Sequence, residues 1–277
     1  MAKVITIGNL KGGVGKTTSA VLIANRLSKR EKKTLLIDLD TSADATTLVF
    51  TTMVKVLNKE PEYNITLYNA IEKEIPAEEV VINVQPYLDL IPSDEDFEDY
   101  GDLLNSKFDK QRDKDFYLSE YLKDVIEQYE YVIIDVPPSV NIYTDSALTM
   151  SDYILIALQT QKKSLRRAKR FASYMSSLRN AYGLKFQALG VLPVLFENGS
   201  DYDLETMGAA ADYFGDENIF TTTIKQMKRI KRFDWSGITN DKSDPHDNSV
   251  HRLYDSLVDE MLERIGNIEE DENNGNV

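Results

Sequence analysis

The sequence predicts a doubly wound α/β fold, in which helices cover both faces of a twisted, mostly parallel sheet. Three observations favour this class. Short apolar runs recur along the chain, and several are apolar on both faces, as buried parallel strands are. Amphipathic helix-like segments alternate with these runs. The chain has 277 residues, 42% of them hydrophobic, which is enough to bury the core of one large domain.

Six apolar runs are the predicted strands. They are rich in aliphatic and aromatic residues and comprise Lys3–Ile7, Thr34–Leu39, Leu88–Ile91, Tyr131–Val136, Tyr153–Leu158 and Ala188–Leu195. All of them are far shorter than the roughly 20 apolar residues that cross a membrane as a helix. We therefore expect a soluble protein with no membrane partner.

Helices are predicted between and after these strands. Behind Gly15, four apolar residues at i, i+3, i+4 and i+7 form a stripe that would face the sheet, namely Ala20, Ile23, Ala24 and Leu27. The other predicted helices are Tyr117–Tyr129, Ser164–Ala181, Leu204–Phe214 and Val250–Ile265.

One domain is predicted over residues 1–267, with an acidic, disordered tail over residues 268–277. Four successive acids, Glu269–Glu272, precede a short polar end, and such a segment has little apolar surface to bury. Cysteine is absent, which excludes disulfides and cysteine-bound zinc or iron–sulfur sites. The first residues also lack a secretory signal, so we expect a cytoplasmic protein.

A glycine-rich segment separates the first predicted strand from the first predicted helix. It reads Lys11-Gly12-Gly13-Val14-Gly15-Lys16-Thr17-Thr18. In this context backbone amides can point at phosphate oxygens, and the N-terminus of the helix adds its positive dipole end. Lys16 can reach the β- and γ-phosphates, and the Thr17 hydroxyl can bind Mg²⁺. We predict that all the residues of this segment bind a nucleotide.

Acidic residues close two of the predicted strands. Asp38 and Asp40 stand at the end of the second strand, and Asp135 stands at the end of the fourth, before two prolines. The carboxyl ends of parallel strands meet at one edge of a sheet, so these carboxylates can converge on the phosphate loop. They are the candidates for the magnesium partner and for the group that places an attacking water.

The motif K-G-G-x-G-K-T is matched in full, although Leu10 stands where the generic phosphate-loop pattern has its first glycine. On these residues and the carboxylates, the chain resembles the deviant Walker A ATPases, which include the ParA partition proteins. The resemblance implies catalytic roles for Lys11, which crosses to the partner's nucleotide, for Lys16, and for Asp40, which orients the water. It also implies that Thr17, Asp38 and Asp135 lie at the metal.

Other features favour the ParA branch of that group. The absent cysteines exclude the cluster-binding relatives, and anionic lipid would repel the acidic end, unlike the basic helix of MinD-type proteins. The phosphate loop starts at residue 11, as in the short class of ParA proteins without an N-terminal helix-turn-helix. One departure is Thr41-Ser42-Ala43-Asp44, where the family usually has P-Q-G/A-N, so the switch after Asp40 is expected to differ in detail.

The net charge of −14, from 32 basic and 46 acidic residues, at first opposes binding to nucleic acid. Charge distribution decides such binding, however, and the bases cluster. Lys225, Lys228, Arg229, Lys231 and Arg232 form a segment that matches the DNA-contacting turn of ParA proteins, with Arg229 as the best match. A second basic segment, Lys162–Arg170, could bind DNA or a protein partner, or lie beside the nucleotide.

The resemblance implies an ATP hydrolase that uses Mg²⁺ and serves DNA segregation. ATP would join two copies into a homodimer that binds DNA non-specifically on the nucleoid, and a ParB-type adaptor at a centromere would stimulate hydrolysis. The alternatives are a MinD-like or other cargo-positioning ATPase, and a nucleotide-binding protein without turnover. Trp235, the only tryptophan, is expected in the core or beside adenine rather than as a reader of bases, and His246 and His251 have no expected catalytic role.

Overall fold

The computed structural model describes residues 1–196 and 201–275. Within these ranges one sheet contains eight strands: β1 (Lys3–Gly8), β2 (Thr34–Asp38), β3 (Ile82–Gln85), β4 (Leu88–Ile91), β5 (Tyr131–Asp135), β6 (Tyr153–Gln159), β7 (Gln187–Phe196) and β8 (Ile224–Lys225). Their order is β3-β4-β2-β5-β1-β6-β7-β8, and every neighbouring pair is parallel except β3 with β4. The predicted doubly wound α/β fold is confirmed.

All six predicted strands are present, with each end within one residue of its prediction. The sequence patterns missed β3 and β8. β8 has two residues, and β3 is a four-residue edge strand in which Asn83 is exposed. Neither is a long apolar run, so neither has the signal that revealed the central strands.

The helices of the described residues are α1 (Lys16–Ser28), α2 (Asp44–Lys55), α3 (Leu67–Glu72), α4 (Tyr100–Lys107), α5 (Gln111–Ile126), α6 (Ile142–Met150), α7 (Lys162–Tyr182), α8 (Asp201–Phe214), α9 (Lys228–Ser236) and α10 (Pro245–Asn273). The five predicted helices correspond to α1, α5, α7, α8 and α10. Among those missed, α3, α6 and α9 span six to nine residues, too few turns for an apolar stripe to stand out.

Alternate residues of the central strands face opposite sides of the sheet. Ile5 and Leu36 pack with α1, α2, α9 and α10 on one side, whereas Val4 and Ile37 pack with α3 to α6 on the other. A third apolar cluster joins β6 and β7 to α7 and α8. Since the strands are parallel, the loops after β1, β2, β5 and β6 all emerge at the carboxyl edge of the sheet, where the candidate site lies.

The last described helix, α10, is longer than predicted. It continues to Asn273, so the prediction of a disordered tail is wrong for residues 268–273. Ile268 packs against the core, and Glu269 Oε2 accepts a 2.8 Å ion pair from Lys3 Nζ, which together hold this last part of the helix. Residues 276–277 lie outside the described part of the chain. Among the described helices, none is long and apolar enough to cross a membrane.

Candidate nucleotide site

The phosphate loop lies between β1 and α1 at the carboxyl edge. Gly13 and Gly15 have φ values of 69° and 77°, a left-handed conformation that side chains with a Cβ rarely adopt. Gly15 precedes α1 and has no side chain to cap it, and the first turn of α1 contains no acidic residue. The amides at the start of α1 therefore remain available to an anion, as a phosphate-binding helix terminus requires.

Lys16 begins α1 and is buried, with only 5% of its surface exposed. Burial lowers the pKa of its amino group, while the nearby carboxylates of Asp135 and Asp40 act to raise it. Lys16 therefore lies close enough to two of the strand-end acids to feel their charge in the folded chain. A cation held in this way is placed to bind phosphate oxygens once a nucleotide enters.

Asp135 ends β5, beside Ile7 of β1 and Asp38 of β2 in the strand register. It is fully buried, and neither carboxylate oxygen has a hydrogen-bond partner among the described residues, although the Thr17 hydroxyl lies near enough to favour the ionised form. Burial first, and then the charge of Asp38, raises the pKa of Asp135, while Lys16 acts to lower it. A buried carboxylate with unused oxygens suits a cation or a water that a cation binds.

Asp38 is equally buried but its oxygens are occupied. Oδ1 accepts a 3.1 Å hydrogen bond from the amide of Asp40, and Oδ2 accepts bonds from the amide and hydroxyl of Thr46, at 2.9 and 2.8 Å. Burial raises the pKa of Asp38 despite these bonds. Asp38 therefore ties the loop that contains Asp40 to the start of α2.

Thr46 is a residue of the site that sequence reasoning missed. Its hydroxyl donates to Asp38 and accepts a 2.9 Å bond from the amide of Ser93. It thus joins β2, α2 and the segment after β4. A threonine in the first turn of a helix is common, so the sequence holds no signal for this role.

Asp40 is less buried than the other two acids. Its Oδ1 accepts a 3.1 Å bond from the amide of Ser42, within the same loop. The loop ends at Ala43, which has a left-handed φ of 52° and directly precedes α2. Of the three acids, Asp40 is the one with access to solvent, as a group that orients a water must have.

Lys11 lies on the other side of the loop. Its Nζ donates to Oε1 of Gln159, at the end of β6, and to Oε1 of Gln161, 2.9 Å away at the start of α7. Burial, and to a lesser extent the like charge of Lys163, lowers its pKa. Sequence reasoning missed both glutamines. The only signal for them is their position at the end of β6 and just after it, since β6 is the strand that neighbours β1.

The predicted DNA-binding residues divide into two groups. Lys225, Lys228, Lys231 and Arg232 are exposed, whereas the Arg229 side chain is only 17% exposed. Nε of Arg229 donates to the buried Asp247, and its guanidinium also contacts Thr239 at 2.9 Å and Asp244 at 3.5 Å. The best sequence match in the segment is thus paired within the chain, which leaves four cations at the surface.

The other basic segment opens α7, and most of its cations face solvent. Lys162 forms a 3.2 Å ion pair with Glu205 of α8, and Lys169 lies 4.3 Å from the ring centroid of Tyr213. Trp235 contradicts the prediction of a core position, because 80% of it is exposed on α9. The sequence could not show this, because only the folded chain reveals that Phe233 and Ile230 form the side of α9 that packs against the core.

The site fits magnesium in one particular way. Among the described residues, no group of three or more histidines and acids is arranged to hold a metal ion by itself. Mg²⁺ usually takes one or two protein ligands and completes its shell with water and phosphate oxygens. The Thr17 hydroxyl and the unpartnered Asp135 suit that arrangement, while Asp38 is engaged by Thr46.

Known proteins resemble this chain over most of its length. Residues 2–187 match the AAA domain family AAA_31. The chain is 26% identical over 232 residues to the chromosome partitioning protein ParA of Myxococcus xanthus, covering 83% of this chain and 77% of that protein. It is 27% identical over 232 residues to the sporulation initiation inhibitor protein Soj of Bacillus subtilis, covering 83% and 87%. A crystal structure from Borrelia burgdorferi, described as a plasmid partition protein bound to AMPPNP, has a TM-score of 0.73 at 26% identity and covers 96% of this chain and 98% of that one.

Proposed function

This chain belongs to the AAA domain family and, within it, to the ParA family of partition ATPases, and we propose that it acts as an ATP-driven DNA-binding switch. In this proposal ATP joins two copies, the joined copies bind DNA, and hydrolysis releases them. The cycle would segregate or position a plasmid or chromosome.

ATP is the proposed ligand of the phosphate loop, residues 11–18. The left-handed glycines, the uncapped start of α1 and the buried amino group of Lys16 support it, as does AMPPNP in the Borrelia protein. The Thr17 hydroxyl would hold Mg²⁺ directly and Asp135 would hold it through water. Bound there, Mg²⁺ would neutralise charge on the phosphates. Asp38 would act on the metal site indirectly, by fixing the loop of Asp40.

The observation that carries the proposal is the contrast between two lysines. Lys16 is buried beside Asp135 and Asp40, whereas Lys11 binds the neutral amides of Gln159 and Gln161. Among the described residues, Lys11 has no ion pair, and the charge that acts on its pKa is that of another cation, Lys163. A phosphate is therefore a stronger partner for Lys11 than its present ones.

Lys16 already serves the phosphates of the chain's own nucleotide, so we infer that Lys11 binds the nucleotide of a second copy. Such a cation stabilises charge on the transferring phosphoryl group as an arginine finger does. The homodimer would then form only with ATP bound. Asp40, on the accessible side of the site, would orient the attacking water.

DNA is the proposed ligand of the exposed cations Lys225, Lys228, Lys231 and Arg232. One chain offers few phosphate contacts, and its net charge of −14 opposes more. Two chains double the contacts, and the logarithm of DNA affinity scales with contact number. Nucleotide-dependent dimerisation would thereby control DNA binding. By its resemblance to ParA proteins, the chain would take hydrolysis-stimulating signals from a ParB-type adaptor and reside on the nucleoid in the cytoplasm.

The proposal is tested by measuring dimer formation, DNA retention and ATP turnover on the same preparation, with ATP, with ADP and without nucleotide. We expect dimers and DNA retention with ATP only, and loss of both in Lys16→Ala, which should not bind ATP. Turnover without DNA retention, together with ATP-dependent flotation on vesicles, would support the MinD-like alternative. ATP binding without turnover, with or without DNA, would support the nucleotide-binding protein without hydrolysis.

A further inference from the structure

One face of α9 combines three cations with an exposed tryptophan. Lys228, Lys231, Arg232 and Trp235 occupy positions i, i+3, i+4 and i+7, which form a single stripe on a helix. All four are exposed. Phe233 and Ile230 lie on the opposite side and pack against the core, and Arg229 is turned towards Asp247. We call the four exposed residues the α9 stripe.

Trp235 is unusual for a surface residue. Its exposure of 80% is the largest among the exposed large hydrophobic side chains of the described residues, apart from Met1. Indole rings left in water are costly, since a buried Trp contributes heavily to the stability of cores and interfaces. Because Trp235 lies next to three cations, a partner that covers it is expected to carry negative charge.

The end of α9 that bears Trp235 is anchored to α2. Lys55 donates to the carbonyl oxygen of Trp235, and the amide of Ile238 donates to Thr52 Oγ1 at 2.9 Å. A Cβ at Gly237 would lie 2.7 Å from Thr52 Cα, so the two segments are in close backbone contact. The backbone that carries the indole is therefore anchored, which lowers the entropy cost of placing the ring against a ligand.

We propose that Trp235 contacts DNA, its indole stacking on or inserting between bases while Lys228, Lys231 and Arg232 bind the flanking phosphates. Cations that follow a backbone around an aromatic ring that stacks on bases are the pattern of nucleic-acid surfaces without sequence preference. Apolar wedges between base steps serve the same purpose in duplexes. The inference rests on the DNA binding proposed above and adds a non-ionic contact to it.

A membrane surface is the competing partner for a basic helix with tryptophan. A helix that lies in a bilayer buries a whole apolar face in lipid. Here the apolar face of α9 packs against the protein core and is not available to lipid. On the exposed α9 stripe, Trp235 is the only large apolar side chain. The positive charge of the α9 stripe would suit either a membrane or DNA. Its apolar surface is limited to one aromatic ring, which is enough to contact bases but too little to bury a helix in lipid.

Because Trp235 is the only tryptophan in the chain, its fluorescence reports the proposed contact directly. The full chain would be loaded with Mg²⁺ and AMPPNP and titrated with random-sequence duplex DNA and, separately, with a single-stranded oligonucleotide. We expect quenching of the indole and protection from acrylamide. Protection by the single strand alone would indicate stacking on open bases, and protection by the duplex would indicate insertion; both support the proposal.

Substitutions separate the ring from the charges. Trp235→Ala should weaken DNA binding about fivefold to hundredfold, the range for loss of one stacked ring, with an unchanged salt slope. Trp235→Phe should recover part of the loss. Lys228→Ala with Lys231→Ala should instead reduce the slope of log affinity against log salt by about 2. The matched control, Lys123→Ala with Lys185→Ala, removes exposed cations outside the stripe and should change neither.

Five results would overturn the inference. Normal DNA binding in a filter assay without any change in indole fluorescence would remove Trp235 from the interface, and so would normal DNA binding by Trp235→Ala. Both results would leave the proposed function intact. Protection by AMPPNP alone would mean that a second copy covers the ring. Protection by anionic vesicles but not by DNA would assign it to a membrane. Absence of DNA binding in every nucleotide state would instead reject the DNA part of the proposed function and the inference with it.

Discussion

Asp38 and Asp135 are register partners at the carboxyl ends of β2 and β5, and both are fully buried, yet among the described residues only Asp38 receives hydrogen bonds. The two carboxylates therefore differ in what they do for the folded chain. Asp38 holds the loop of Asp40 through Thr46, whereas the oxygens of Asp135 remain available to a ligand.

Asn substitutions at these two positions should have opposite effects on stability. Asp135→Asn removes a carboxylate whose ionised form is disfavoured by burial and by the charge of Asp38 more than Lys16 favours it, so we expect the free energy of unfolding without nucleotide to rise, on the order of 1 kcal/mol at pH 8. Asp38→Asn would replace one accepting oxygen by an NH₂ group, which would face an amide or hydroxyl donor. We expect this to lower the free energy of unfolding by about 1–3 kcal/mol. Urea unfolding of both variants checks this, and a loss of stability in Asp135→Asn would contradict it.

The same pair predicts a pH dependence. Burial raises the pKa of Asp135 in the folded state, so between the unfolded carboxyl range and that raised pKa the folded chain binds more protons than the unfolded one. Stability of the nucleotide-free protein should fall as pH rises through this window and level off above it. Unfolding curves at a series of pH values should show a shallower fall in Asp135→Asn, and an identical slope would count against the buried-carboxylate account.

Lys11→Ala should separate ATP binding from dimer formation. The amides and Lys16 that cradle the chain's own phosphates are untouched, so ATP affinity should stay within a few-fold of the parent. The ATP-dependent dimer and DNA retention should both be lost. Light scattering with AMPPNP measures dimer formation, and filter binding measures DNA retention. A variant that still forms the dimer would refute the role of Lys11 in the partner's site.

Gln161→Glu tests the position of Lys11 in the single chain. A carboxylate 2.9 Å from Nζ would hold the ammonium more strongly than the present amide does. We expect the variant to need more ATP to form dimers, with a lower rate of dimerisation that salt partly restores. Gln161→Ala, which removes the acceptor without adding charge, is the control and should dimerise at least as readily as the parent.

Asp40→Ala should retain ATP and remain dimeric on DNA while turnover falls by about 10²–10⁴-fold, the usual contribution of a positioned general base or water-orienting group. The neighbouring acid Asp44, which begins α2, provides the comparison, and Asp44→Ala should leave most of the activity. Steady-state phosphate release measures turnover, and normal release by Asp40→Ala would remove this residue from the catalytic role.

Arg229→Ala should act on stability, unlike its neighbours. Burial acts to raise the pKa of Asp247, but bonds from Arg229, Thr239 and the Asp241 amide hold it below its usual value. Removing Arg229 leaves a buried carboxylate short of partners and should cost about 2 kcal/mol or more. The exposed Lys228→Ala should stay within about 0.5 kcal/mol of the parent. Equal stability of the two variants would return Arg229 to the list of free DNA-binding cations.

Sequence patterns located the central strands to within one residue because parallel strands buried on both faces are apolar throughout. Short or edge elements such as β3, β8 and α9 lack that contrast and were missed. The tail was mispredicted for a different reason. Its composition is that of a solvated segment, but Ile268 and the Lys3–Glu269 ion pair give residues 268–273 a surface to fold against.

The sequence by itself determined the α/β class, the place of the phosphate loop and the convergence of Asp38 and Asp135, because each follows from local pattern and from the geometry of parallel strands. Only the tertiary structure decided which polar groups are engaged. Lys11 meets a glutamine 150 residues away, and Arg229 meets one buried acid, while its basic neighbours form no ion pair with the described residues. A basic segment looks uniform in sequence, and packing alone decides which of its cations face the core and which remain free for a ligand.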